Sequence, residues 1–264
     1  MVAVLVAAGT LVVGAHDFWL VPDATVVGRN ADIVIRGQTS SVFPTSESAV
    51  TTDRIAEARV LGSTGEETIE ARSTEGTSLV LRHRPKSQGQ QVIGVSLGWR
   101  HVNETADSFR NYLVAEGAED ALKRYEAAGT LPTAAIVRRY AKYGKTLVEF
   151  GDGPRAFTRV VGQPLEFVPL TDPASLQSGG TLRVRILFQG APLARARVHG
   201  EVAPTPGRTS PKDVTLVSDD EGVVTLPVGA AGLWNVRTIH VVPAPAGADA
   251  DWDVHWASFV FSVR

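Results

Sequence analysis

Cysteine is absent from all 264 residues, which removes disulfides, thiolate metal sites and cysteine nucleophiles together. An excess of positive charge is also missing. The formal net charge is −2, so no basic field exists to attract nucleic acid or an acidic membrane. No nucleophile elbow, phosphate loop or paired-carboxylate motif argues for hydrolytic chemistry, and beyond residue 20 there is no internal repeat, low-complexity tract or membrane-spanning run. A metal site in such a chain has only imidazoles, carboxylates, backbone groups or a terminal amine to draw on. That donor set suits nickel, cobalt, copper or zinc.

The N-terminal stretch is apolar throughout apart from one threonine and carries no Lys or Arg: MVAVLVAAGTLVVGA, residues 1–15. It is shorter than the about 20 residues a bilayer span needs. Val13 and Ala15 put small side chains at the third and first positions before a cut, so residues 1–15 read as a signal peptide and the mature protein as periplasmic or secreted, starting at His16. A terminal histidine has an α-amine and Nδ1 that close a six-membered chelate ring on a metal ion, and its amine titrates near pH ~8, within reach of metal displacement.

The rest reads as mainly β: two antiparallel β-sandwich (immunoglobulin-like) domains with a helical insertion between them. From Phe18 to Arg100, short alternating runs such as Asp32–Arg36, Ala58–Leu61, Ser78–Arg82 and Gln91–Leu97 are separated by Gly, Ser, Thr and Pro clusters, marking an N-terminal β domain over 16–102. Within it, residues 37–54 form a long polar segment expected to be a binding loop or a mobile one. Residues 103–152 are expected to be helical. Thr105 supplies an N-cap, Asp107 complements the first turn, Ala118–Ala128 continues to Gly129, and a second helical stretch follows Pro132 with its basic residues on a solvated face. Regular strands and turns resume in 160–264, as in an immunoglobulin-like sandwich.

Strand alternation sorts the histidines. His199 shares the Arg195 and Arg197 face and is expected to be exposed, while His83 shares a face with Leu79 and Leu81 and is expected to be semi-buried; His101 stands at a strand end without an assignment. His240 and His255 remain. If the strands about 233–242 and 252–263 pair so that these two face each other, then Thr238 faces Ala257, Val236 faces Phe259 and Trp234 faces Phe261, which puts both apolar rows on one side. Opposed residues have Cβ atoms ~4.5–5.5 Å apart, within reach of one ion. Two core histidines bonded to backbone are the plain alternative.

Seven stretches together resemble a bacterial periplasmic family of uncharacterised domain type, grouped with the NikM-like periplasmic component of cobalt/nickel uptake. They are AHDFWLVP (15–22), FRNYLVAEG (109–117), RRYAKYGKTLVEFGD (138–152), QPLEFVPLTDP (163–173), LRVRILFQGAPLARARV (182–198), GLWNVRTIHVV (232–242) and DWDVHWASFVFSV (251–263). The resemblance covers nearly the whole chain after the leader and implies a periplasmic protein of metal uptake, with a membrane transport component as partner. That family often has a histidine in the loop after the first long strand, where this chain has Gln38.

The leading expectation is therefore a non-enzymatic exported protein that binds a divalent transition metal, nickel or cobalt, with copper or zinc as alternatives, through His16, His240 and His255. A second is a carbohydrate-binding or adhesive module using Trp19, Trp99, Trp234, Trp252 and Trp256 as a platform, with Trp252 and Trp256 facing outward. A third is a copper oxidative enzyme, in which an N-terminal histidine chelate resembles the histidine brace of polysaccharide monooxygenases.

Overall fold

The computed structural model describes residues 16–205 and 213–264; the expected signal peptide lies outside them. The expected mainly β architecture is present, in three sheets. A four-stranded sheet orders Asp17–Pro22, Ile33–Ser40, Ser78–His83 and Ala71–Glu75. A nine-stranded sheet runs Val214–Val217, Arg197–Val202, Gly232–Pro243, Trp252–Val263, Ala135–Phe150, Gly89–Thr105, Ile55–Leu61 and Glu66–Thr68, with Val26–Val27 added along Ala135–Phe150. The third sheet joins Leu165–Pro169, Gly180–Phe188 and Ala191–Pro192, with Val223–Val228 also paired to Gly180–Phe188.

Alternation along the nine-stranded sheet gives its two faces different cover. Ala141, Tyr143, Leu147, Ala257, Phe259 and Phe261 pack with Leu182, Val184 and Ile186 of the third sheet. On the other face, Val148 and Phe150 pack with Phe18, Leu20, Ile33 and Ile35 of the first sheet. Further along that same face, Val254 and Trp256 pack against Phe109, Leu113 and Tyr125 of two helices.

Those helices span Ala106–Ala115 and Glu119–Ala127. Thr105 caps the first as expected, its hydroxyl accepting from the Ser108 N–H at 3.2 Å. Gly117 (φ +64°) breaks between them and Gly129 (φ +63°) follows the second, both in the left-handed region that favours glycine.

The second helical stretch expected after Pro132 is corrected: Ala135–Phe150 is a strand at the centre of the large sheet. It pairs parallel with Trp252–Val263 and with Val26–Val27, so the sheets are not wholly antiparallel. This strand is buried on both faces, which removes the period-two signal. Three of its cations, Arg138, Lys142 and Lys145, are buried rather than on a solvated face. Arg138 bonds Glu104 at 2.5 Å, and Lys145 bonds Glu166 at 2.6 Å with both side chains 1% exposed. Lys142 donates to the carbonyl of His16, and burial lowers its pKa to about 8. The same sheet takes strands from both expected β domains, Ile55–Leu61 at one end and Gly232–Pro243 at the other.

Candidate functional site

The last two long strands pair in the expected register. His240 stands opposite His255, Thr238 opposite Ala257, Val236 opposite Phe259 and Trp234 opposite Phe261. The apolar rows enter the core against the third sheet, and the two imidazoles share that face. Phe188, at the end of a third-sheet strand, lies against both rings, its centroid 4.4 Å from His240 and 5.1 Å from His255. Loss of hydration pushes both imidazoles down to about 4, with Arg124 adding to the effect at His240, and the neighbouring His240 and Arg139 adding to it at His255. Both are neutral near pH 7.

His16 is not part of this group. Its carbonyl accepts from Lys142 and the next carbonyl but one, of Phe18, accepts from Ser258 Oγ at 2.6 Å. Lys142 and Ser258 alternate with Tyr143 and Ala257 and so occupy the opposite face of the sheet from His255. The expected three-histidine cluster is therefore corrected to a pair, with His16 held apart by the sheet itself. His16 Nε2 instead meets Glu47 at 3.1 Å. Glu47 also accepts from Ser40 Oγ at 2.6 Å, so the polar segment that carries it is tied back to the end of the Ile33–Ser40 strand. Gln38 sits opposite Trp19 with its buried Oε1 unpaired among the described residues. Among those residues no group of three or more His, Asp or Glu has the geometry to hold a metal ion.

Of the other histidines, His83 is semi-buried as expected, whereas His199, expected to be exposed, is half-buried instead. His83 lies beside Glu67 at 3.4 Å, and His199 meets Thr215 at 3.2 Å. His101 pairs with Asp249 at 3.1 Å.

The tryptophan platform is not assembled. Trp19, Trp234 and Trp256 are 0%, 1% and 4% exposed, and Trp252 packs 5.3 Å from Phe109 under the helices. Trp99 is different, at 39% exposed. A bulge between Leu97 and Arg100 breaks the strand pairing around it. Gly98 inside that strand run is the one local signal in the sequence for it.

Trp99 and His255, ring centroids 5.2 Å apart and 74° inclined, belong to the wall of a cavity of about 680 Å³ between the large sheet and the third sheet. Phe188, Gln163, Gln189 and Asp253 also line it, together with apolar residues that include Val160, Pro164 and Pro243. Gln189 has φ +51°, an uncommon conformation for a non-glycine residue, at the turn that follows Phe188. Below, the Tyr143 hydroxyl lies 2.9 Å from Nδ1 of His255. Sequence reasoning missed Trp99, Phe188 and Tyr143 as a group, because only the stacking of two sheets brings them together.

A family model described as a domain of unknown function, DUF4198, matches residues 13–242. The chain belongs to that family. No curated protein matches this DUF4198 chain in sequence. Among solved structures, it is similar to the D0–D1 domain of intimin, at 13% identity over 94% of this chain and 98% of that one, with a TM-score of 0.23. Trypsin-activated α2-macroglobulin from Escherichia coli aligns at 9% identity over 95% and 16%, TM-score 0.24. The Yersinia pseudotuberculosis adhesin InvE aligns at 12% identity over 95% and 61%, also with a TM-score of 0.24. Likeness at these TM-scores carries nothing about what the DUF4198 chain does. Among its described residues no helix is long and apolar enough to cross a membrane.

Proposed function

We propose that this DUF4198 chain is an exported, non-catalytic binding protein that takes a small ligand into the cavity between its sheets. The observation that carries the reading is the cavity itself: about 680 Å³, walled by the fixed rings of Trp99, Phe188 and His255. Binding cavities commonly measure ~300–1,000 Å³ and combine apolar walls with a few polar groups. Export rests on the apolar leader ending at Val13-Gly14-Ala15. The test of the site is ligand-observed NMR with a fragment library on wild type and Trp99→Ala. Fragments that bind wild type and lose binding in the variant support it; fragments whose binding ignores Trp99 oppose it. For export, recovery of protein starting at His16 supports the reading and recovery of an intact 1–15 segment opposes it.

A second reading keeps a divalent transition metal, nickel or cobalt first, as the ligand of His240 and His255. It is favoured by their direct opposition and by the burial that keeps both neutral, and by the resemblance to the periplasmic component of cobalt/nickel uptake, which would add a membrane transport component as partner. Two imidazoles leave the coordination sphere to be completed by water or another small ligand, and Phe188 has to yield its place against both rings.

A further inference from the structure

The charges on the cavity wall are already neutralised from within. Asp253 accepts two hydrogen bonds from Arg139, at 2.7 and 3.1 Å. Glu166 accepts from Lys145 at 2.6 Å and from the backbone N–H groups of Val161, Gly162 and Gln163 at 2.7, 2.9 and 3.2 Å. A cation entering here finds no free carboxylate, and an anion finds no free cation among the described residues. Either would give up its hydration without a counter-charge, which is strongly unfavourable.

The indole of Trp99 is a fixed plate. The Arg139 guanidinium lies over its ring at 4.6 Å from the centroid, His255 meets it at 5.2 Å, and 39% of the residue still faces solvent. Holding an aromatic ring in place before the ligand arrives lowers the entropy cost of stacking on it.

Around that plate are groups that need hydrogen-bond partners. Gln163 uses its Nε2 on the carbonyls of Val95 and Gly144, at 3.0 and 3.1 Å, which leaves its carbonyl oxygen to offer. His255 has Nδ1 bound to Tyr143, leaving Nε2. Gln189 adds an exposed amide beside Phe188. A plain hydrocarbon or aromatic ligand would cover these groups and leave them unpaired.

We infer that the ligand is an uncharged sugar ring, with its C–H face on Trp99 and its hydroxyls on Gln163, Gln189 and His255; this rests on the cavity being the binding site. A pyranose is neutral, apolar on one face and dense in hydroxyls that both donate and accept, which matches each of the three features.

The test measures tryptophan fluorescence and calorimetry with four probe classes: neutral methyl glycosides and disaccharides, citrate, benzamidine, and indole. The proteins are wild type, Trp99→Ala and Gln189→Ala, with folding checked by circular dichroism. The expected result is saturable binding of at least one neutral saccharide, weakened tenfold or more by Trp99→Ala and less by Gln189→Ala, with none for citrate or benzamidine. Trp99-dependent binding of citrate, benzamidine or indole but of no saccharide overturns the sugar assignment and leaves the cavity reading standing. Saccharide binding unchanged in a folded Trp99→Ala protein overturns both, as does no binding in any class together with a fragment screen that finds no Trp99-dependent ligand.

Discussion

Tyr143 and His255, neighbours across a parallel strand pair, share one hydrogen bond: the phenol oxygen lies 2.9 Å from Nδ1 and the two rings stack with centroids 5.9 Å apart. Burial pushes the Tyr143 pKa up, so the phenol keeps its proton. That proton has no other acceptor among the described residues, which directs it to Nδ1 and places the ring hydrogen of neutral His255 on Nε2. Nitrogen NMR should find this tautomer in the free protein. Tyr143→Phe should cost about 1–3 kcal/mol by leaving a buried ring nitrogen unpaired, read as a lower denaturant midpoint. No loss of stability, together with an unchanged tautomer, would count against the bond.

The same tautomer separates the two ligand readings. A metal on Nε2 needs that nitrogen free of its hydrogen, with Nδ1–H then donating to Tyr143. In calorimetry with nickel, cobalt, copper and zinc, the metal reading expects His240→Ala and His255→Ala each to lose about tenfold or more, ~1.4 kcal/mol. It expects Phe188→Ala, which uncovers both rings, to strengthen binding. Equal affinity in all three variants would remove the histidine pair as a metal site.

Stability should fall in mild acid. His255 and His240 have folded-state pKa values lowered to about 4, against about 6.5 when unfolded. Between those values the unfolded chain binds more protons, so stability rises with pH across that window. The contribution is complete above about pH 6.5 and is lost as pH falls toward 4, on the order of 3 kcal/mol for the buried His255. Chemical unfolding at stepped pH should show His255→Phe with a flatter dependence than wild type over that window. Identical slopes would show that His255 is not the titrating group.

Lys145 and Glu166 tie the large sheet to the third sheet beside the cavity, each 1% exposed. Lys145→Met leaves the Glu166 carboxylate buried without its cation and should cost about 3–5 kcal/mol. Glu166→Gln, which keeps the shape and one acceptor oxygen for the three backbone N–H groups, should leave Lys145 uncompensated and be destabilising too. A loss below about 1 kcal/mol in Lys145→Met would mean that water reaches the pair.

Local spacing alone determined much of this protein. The strand and turn rhythm, the Thr105 cap, the helix breaks at Gly117 and Gly129, and the His240–His255 register are written in neighbouring residues, because each depends on backbone preference or on one hairpin's alternation. Tertiary structure decided the rest. The strand 135–150 reads as helix when Arg138, Lys142 and Lys145 are assumed to seek water. What makes it a buried central strand is Glu104, the His16 carbonyl and Glu166, which lie 21 to 126 positions away and supply the partners that water would otherwise provide. His16 was separated from His240 and His255 for a related reason: alternation says which residues share a strand's face, while which face the chain's first strand covers depends on how whole sheets stack. The cavity at Trp99 comes into being only where two sheets and a bulge meet, at a distance no local pattern encodes.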